Sequence, residues 1–309
     1  MPDQRKPCGR FAPSPTGPLH LGSLVAAVGA WLFARRAGGA FLVRLEDLDA
    51  ARVVPGSADE ILRALAFYGL MPDGPVAVQS RRTALYEAAI ETLRGKNLVY
   101  ACACTRSELT RIASAPQPGD AGPAYAGTCR RGLPPGRSPR SLRFRVSPGE
   151  ISFDDAVFAR QTQDVERDVG DFVVRRADGP FAYQLAVVVD DAEQGVTQVV
   201  RGADLLSSTP RQIALARALD LDIPSYAHLP LVVGPGGAKL GKRHGALPLA
   251  TLDERRLRET LAAALSLLGQ EPADAAPREM LEEALRRFDP SRIPRGPVAV
   301  GRSHASPAS

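Results

Sequence analysis

The first fifty residues constrain this chain most. CGRFA at 8–12 reads as a short apolar strand, and it runs into a Pro/Gly-rich loop, PSPTGP, at 13–18. His20-Leu21-Gly22-Ser23 then opens a helical stretch to about Arg36, and Gly38-Gly39 stops it, as glycine commonly does. Ala40 to Leu45 is a second apolar strand that ends in Glu46-Asp47. Strand, loop, helix and strand in that order open a βαβ unit. The expected fold is therefore α/β, with a parallel sheet covered by helices.

Further elements follow the same reading. Ser57 with Glu60 forms a capping box for a helix through Phe67, and a second helix is expected from Arg82 to Leu93. Residues 101–150 change character: they hold clustered cysteines and many Pro and Gly residues without long periodicity, and read as an insertion. Strands are expected at Phe172–Val174 and Gln184–Val189, joined through Asp178-Gly179-Pro180, and at Thr197–Val200. A helix over 209–219 precedes an apolar strand, His228–Val233, and a glycine loop, GPGGAKLGKRHG. Thr251 with Glu254 suggests another capping box, and Leu257, Leu261, Leu265 and Leu268 have helical spacing. A short helix over Arg278–Phe288 follows, and the Pro/Ser/Gly/Arg-rich residues from Pro294 are expected to be disordered. The resulting division is 1–100 and 191–250 for the two halves of the sheet domain, 101–190 for the insert, 251–293 for a helical extension and 294–309 for the tail.

With 309 residues the chain can bury a substantial core. No window approaches eighteen continuous apolar residues, and no apolar run follows Arg5 and Lys6, so neither a membrane span nor a secretion signal is expected. The anticipated setting is the cytosol. A net charge of +5 suits a polyanionic partner, although the abundance of Ala, Gly, Pro and Arg also fits simple compositional bias. Three of the four cysteines, Cys102, Cys104 and Cys129, lie close together, which in a reducing compartment suggests metal ligands over disulfides.

Two segments can address phosphate. The glycine loop before His20 meets a helix N-terminus, where free backbone N–H groups and the helix dipole favour an anion. His20 can donate to a phosphate oxygen, and Gly22 permits close approach of a nucleotide. Lys239 and Lys242, in KLGKR, are compact charges on a loop suited to a departing pyrophosphate. Either segment alone reads equally as a plain strand–helix turn or a solvated basic loop.

Together, RFAPSPTG, HLGS, RLEDLD and KLGKRHG, in that order, resemble the glutamyl branch of the class I aminoacyl-tRNA synthetases over roughly residues 8–250. HLGS is similar to that class's HIGH signature and KLGKR to its KMSKS signature, with Ser23 and Gly241 as departures. The resemblance implies a Rossmann-like parallel sheet with an inserted acceptor-binding subdomain. It also implies ATP, with Mg2+, lying across the two signatures at His20, Gly22, Lys239 and Lys242. His20 and Lys242 are the implied catalytic groups. Arg10, Phe11, Ala12, Pro13, Ser14, Glu46, Tyr183 and Arg201 are the implied L-glutamate site. The chemistry is reasonable, because arginine pairs carboxylates through a fork and an acid suits the substrate ammonium.

Three thiols leave a structural zinc one ligand short of four. Cys102-x-Cys104 with Tyr125-x-x-x-Cys129 resembles the pattern of truncated glutamyl paralogues, the glutamyl-queuosine tRNA(Asp) synthetases, in which the tyrosine oxygen completes the set. The short extension after the second signature, without room for an anticodon-binding domain, agrees with that branch. Its implied reaction is tRNA-independent glutamate activation, then transfer to queuosine at the wobble position of tRNA(Asp), by a monomer. The alternatives are a compact synthetase charging tRNA(Glu) and a catalytically inactive RNA-binding paralogue.

Overall fold

The computed structural model describes residues 6–105, 107–108, 124–234 and 253–300. In chain order the elements begin with β1 (Cys8–Phe11), α1 (Leu21–Arg36), β2 (Ala40–Leu45), α2 (Ser57–Phe67), β3 (Ala77–Val78) and α3 (Thr83–Gly95). Next come β4 (Val99–Cys102), β5 (Ser141–Phe144), β6 (Glu150–Asp155), β7 (Ala159–Asp164), α4 (Val165–Asp168) and β8 (Phe172–Arg175). They are followed by α5 (Tyr183–Glu193), β9 (Gln198–Gly202), α6 (Thr209–Ala218), β10 (Ser225–Leu229) and β11 (Val232–Val233). The last are α7 (Glu254–Leu267), α8 (Pro277–Arg286) and β12 (Val298–Ala299).

The main sheet runs β3-β2-β1-β9-β10-β6-β7, parallel except for the β6–β7 hairpin. β1 pairs in parallel with β2 on one side and β9 on the other, so the chain leaves the centre in two directions. Such a switch point opens a crevice at the carboxyl ends of the strands. α1 is apolar nearly all round and buried from Leu21 to Ala34 apart from a few positions, because it lies between this sheet and α7 and α8. The smaller sheet is antiparallel, β4-β5-β8. The interval 101–190 therefore holds strands of both sheets, since β6 joins β10 in the main one.

Several local expectations are corrected. Gln184–Val189 is not a strand but the middle of α5. Its Val-rich run has β propensity, but Leu185, Ala186, Val187 and Val188 are buried in the core beside α3 and α6, and this packing decides the conformation. Ser57 does not cap α2; Gly56 precedes the helix, and the Ser57 hydroxyl instead donates to Gly17 O at 2.6 Å and accepts from Gly17 N at 3.0 Å. α7 is capped by Asp253, whose side chain accepts from Arg256 N, while Thr251 lies outside the described residues. The expected strand His228–Val233 is two strands interrupted at Pro230, which has no N–H for a ladder. Residues Val298–Ala299, read as tail, pair in parallel with β11. No helix among the described residues is long and apolar enough to cross a membrane.

Candidate active site

The crevice at the β1–β9 switch point is a cleft of about 540 Å³. All eight residues expected to form the glutamate site line it, and so do His20 and Gly22. Lys239 and Lys242 lie outside the described residues. The geometry follows from the topology. Arg10 and Phe11 end β1, Glu46 follows β2, Arg201 is near the end of β9, and Tyr183 begins α5.

The loop between β1 and α1 is held from outside itself. Glu46 N donates to Pro13 O, Val54 N donates to Pro15 O, and Ser57 clasps Gly17. Gly17 has φ 127°, which a side chain would strain. His20 caps α1: its Nδ1 accepts from Ser23 N at 3.2 Å, and its Nε2 lies 3.1 Å from the Ser23 hydroxyl. With Nδ1 an acceptor, the proton of a neutral ring sits on Nε2, where the Ser23 hydroxyl accepts it. A Cβ on Gly22 would stand 3.2 Å from His20 Cε1, so this glycine also makes room for the capping ring.

Under the cleft lies a buried charge network that the linear reading missed. Arg10 Nε and Nη2 donate to the two carboxylate oxygens of Asp191, at 3.0 and 3.2 Å. Arg44, fully buried, donates to Asp191 at 2.7 Å, to Gln194 at 2.8 Å and to Glu46 at 3.2 Å. Burial would raise the Asp191 carboxyl, but Arg10 and Arg44 outweigh it and hold it below the ordinary range. Burial raises the Glu46 carboxyl despite Arg44 and Arg10. The neighbouring Asp190 accepts from Arg82, Gln79 and Tyr86 at 2.6–2.8 Å.

Arg201 is held differently. Its Nη2 donates to Thr209 Oγ1 at 2.8 Å and to Leu205 O at 3.3 Å, its Nε to His228 Nε2 at 3.1 Å, and its Nη1 to the Tyr183 hydroxyl at 3.4 Å. Among the described residues no carboxylate comes within ion-pair distance of it. Burial raises the Tyr183 phenol, with Arg201 opposing, so the hydroxyl stays protonated at neutral pH.

One signal for the buried network was present in the sequence. Two adjacent carboxylates ending the run LAVVVDD need partners if that run is buried. As a strand they would have pointed to opposite faces; as a helix both turn toward arginines. His228 gave no such sign, because a lone histidine in an apolar strand reads as core.

The cysteine cluster lies at the end of β4 and in the turn after Tyr125. The Sγ atoms of Cys102, Cys104 and Cys129 all lie within 4.8 Å of one another, with Cys104 and Cys129 at 3.7 Å. Zinc–sulfur bonds of about 2.3 Å in a tetrahedron place sulfurs roughly 3.8 Å apart, so the set fits. The Tyr125 hydroxyl lies 3.5 Å from Cys102 and 3.9 Å from Cys104, and accepts from Cys129 N at 2.8 Å. Burial would raise the Cys102 thiol, but hydrogen bonds from Tyr125, the Cys104 amide and Arg143 outweigh it and bring it down to about 7. A thiolate is the form a metal binds. Cys8 is a buried residue of β1, apart from this cluster.

The family model "tRNA synthetases class I (E and Q), catalytic domain" matches residues 8–302. A glutamyl-Q tRNA(Asp) synthetase of Geobacter sulfurreducens is 55% identical over 305 residues, covering 97% of this chain and 96% of that protein. One from Dechloromonas aromatica is 54% identical over 270 residues, covering 87% and 88%. Among solved structures, a glutamate tRNA ligase from Elizabethkingia meningosepticum in complex with its amino acid superposes with a TM-score of 0.77 at 28% identity. That match covers 97% of this chain and 68% of the ligase.

Proposed function

Because the chain belongs to the class I tRNA synthetases of the glutamyl and glutaminyl type, a family of ligases, we propose that its cleft activates L-glutamate with ATP and transfers it to queuosine in tRNA(Asp). The observation that carries the reading is charge matching. Glutamate brings two carboxylates and one ammonium; the cleft offers Arg10, Arg201 and Glu46, with the Tyr183 hydroxyl beside Arg201. Arginine donors favour a second carboxylate over the amide of glutamine. Phe11, Ala12, Pro13 and Ser14 form the wall next to Arg10.

ATP would lie along the loop before α1, with its phosphates near the helix N-terminus and the His20 ring, and Mg2+ would offset their charge. Lys239 and Lys242 act on the phosphates from the glycine loop, a role that rests on their sequence motif. A substrate carboxylate oxygen attacks the α-phosphorus while the bond to pyrophosphate breaks; developing charge is met by His20 and Lys242. No proton transfer is needed in this step. In the second step a queuosine hydroxyl attacks the adenylate carbonyl, the bond to the phosphate oxygen breaks, and AMP leaves as the hydroxyl proton passes to its phosphate. Activation proceeds without tRNA, and the protein acts as a monomer. The names of relatives that are 54–55% identical support the queuosine acceptor.

Cys102, Cys104, Cys129 and Tyr125 would hold one zinc ion, which supplies a structural cross-link between β4 and the 125–129 turn.

Glutamate transfer tests the whole. Label is expected on tRNA(Asp) carrying queuosine and retained after removal of its 3′ end, with none on tRNA(Asp) lacking queuosine. Pyrophosphate exchange is expected with glutamate and ATP alone. Label on tRNA(Glu) that is lost with the 3′ adenosine would make this a charging enzyme instead. Absence of exchange with or without tRNA would make it an inactive paralogue.

A further inference from the structure

His228 is completely buried between Asp155 and Arg201, and its hydrogen bonds determine its protonation. Asp155 Oδ1 accepts from the backbone N–H groups of Val157 and Phe158 at 3.0 and 2.9 Å, and the carboxylate also meets His228 N at 3.1–3.2 Å. Its Oδ2 lies 2.6 Å from His228 Nδ1. An ionised carboxylate only accepts, so Nδ1 carries a proton. On the opposite side, Arg201 Nε always donates, so His228 Nε2 must present its lone pair. Both contacts therefore require one species, the neutral Nδ1–H tautomer. Burial lowers the histidine's pKa against the pull of Asp155, and Arg201 adds to the lowering. Among the described residues the Thr209 hydroxyl at 3.3 Å and the Tyr226 ring stacked at 6.3 Å also meet the ring without a charge, and the Arg10 charge adds to the lowering.

We propose that Asp155 and His228 are positioning residues for glutamate selection: they fix the plane of the Arg201 guanidinium through a neutral relay, leaving its charge available to a substrate carboxylate. Arg201 spends Nε on His228 and Nη2 on Thr209 and Leu205 O, so its Nη1 edge is turned to the cleft beside Tyr183. A carboxylate in place of His228 would hold the plane as well but would neutralise the cation. An imidazolium there would set N–H against N–H. The inference rests on the glutamate reading above and deepens it.

The test pairs kinetics with histidine tautomers. In Asp155→Asn the amide oxygen keeps the backbone N–H groups and turns its NH2 to His228 Nδ1, which moves the ring proton to Nε2 against Arg201. The expected result is at least a tenfold rise in glutamate KM in pyrophosphate exchange. ATP KM should be unchanged, and kcat at saturating glutamate should stay within about threefold. His228→Gln, which keeps an acceptor for Arg201, should recover most of what His228→Leu loses in glutamate KM. Nitrogen-15 histidine spectra of the full chain should show Nδ1–H at position 228, identified by its loss in His228→Gln. A wild-type ring protonated on Nε2 or on both nitrogens would overturn the inference. So would an Asp155→Asn enzyme with altered tautomer and unaltered glutamate KM, or equal losses in glutamate KM, ATP KM and kcat, which mark a merely structural role. Wild-type protein without glutamate-dependent exchange would refute the glutamate reading instead, and the spectra would still decide the relay.

Discussion

Two arginines face the same cleft, and they are held by opposite means. Arg10 is gripped through two hydrogen bonds by Asp191, a carboxylate it shares with Arg44. Arg201 is gripped by a neutral imidazole, a hydroxyl and a backbone carbonyl. Both are nearly buried, at 3% and 5% exposure, so desolvation does not separate them. What differs is the field that reaches the cleft. Around Arg10 the Asp191 and Glu46 carboxylates stand against the Arg10 and Arg44 charges in one hydrogen-bonded network. Beside Arg201 the Asp155 carboxylate stands one imidazole ring away, behind His228. A buried guanidinium that meets no carboxylate at ion-pair distance among the described residues is an incomplete ion pair, and a carboxylate ligand completes it. The comparison assigns stability mainly to the first arginine's surroundings and selectivity mainly to the second's.

Four substitutions probe this division, from the largest expected effect downward. Asp191→Asn leaves Arg10 and Arg44 without their shared counterion, and urea unfolding should register a loss of about 3–5 kcal/mol. If stability is unchanged, the floor of the cleft is not held by this network. Arg201→Leu should weaken glutamate binding by about 2–5 kcal/mol, seen in exchange kinetics, while lowering unfolding stability less than Asp191→Asn does. The reverse ranking would dissolve the contrast. Glu46→Gln removes the acceptor for the substrate ammonium and should cost about 1.5–3 kcal/mol of glutamate binding. The pH dependence has a definite sign here. Burial raises the Glu46 carboxyl, so as pH falls its charge is lost earlier than that of an ordinary carboxylate. Wild-type glutamate KM should therefore rise on acidification ahead of any change in ATP KM, and Glu46→Gln should flatten that rise. Thr209→Val deletes one 2.8 Å hydrogen bond to Arg201 and should cost only about 0.5–1.5 kcal/mol of glutamate affinity. A larger effect would shift the positioning role from His228 to the hydroxyl.

The cysteine cluster shows how far spacing can be read. Cys102-x-Cys104 and Tyr125-x-x-x-Cys129 suggested a ligand set, and the structure brings the four side chains together at the edge of the small sheet. It adds Arg143, which donates to Cys102 at 3.3 Å and lies over the Tyr125 ring at 3.7 Å. Nothing in the spacing of the cysteines points to that arginine, because β5 pairs with β4 across nearly forty residues of chain.

What the sequence determined by itself was local in kind. The opening βαβ unit follows from apolar runs and glycine stops, and the resemblance carried by motif order implied Arg10, Glu46, Tyr183 and Arg201 as one site, which the fold places along one crevice. Periodicity and loop chemistry act over a few residues, so they survive in the linear string. The tertiary structure alone decided the rest. It made a Val-rich run into α5, because burial beside α3 and α6 overrides β propensity. It turned Ser57 from a helix cap into a clasp on Gly17, and it carried Asp155 across 73 residues to His228. Buried charges must find partners wherever the fold brings them, and sequence separation does not limit that search.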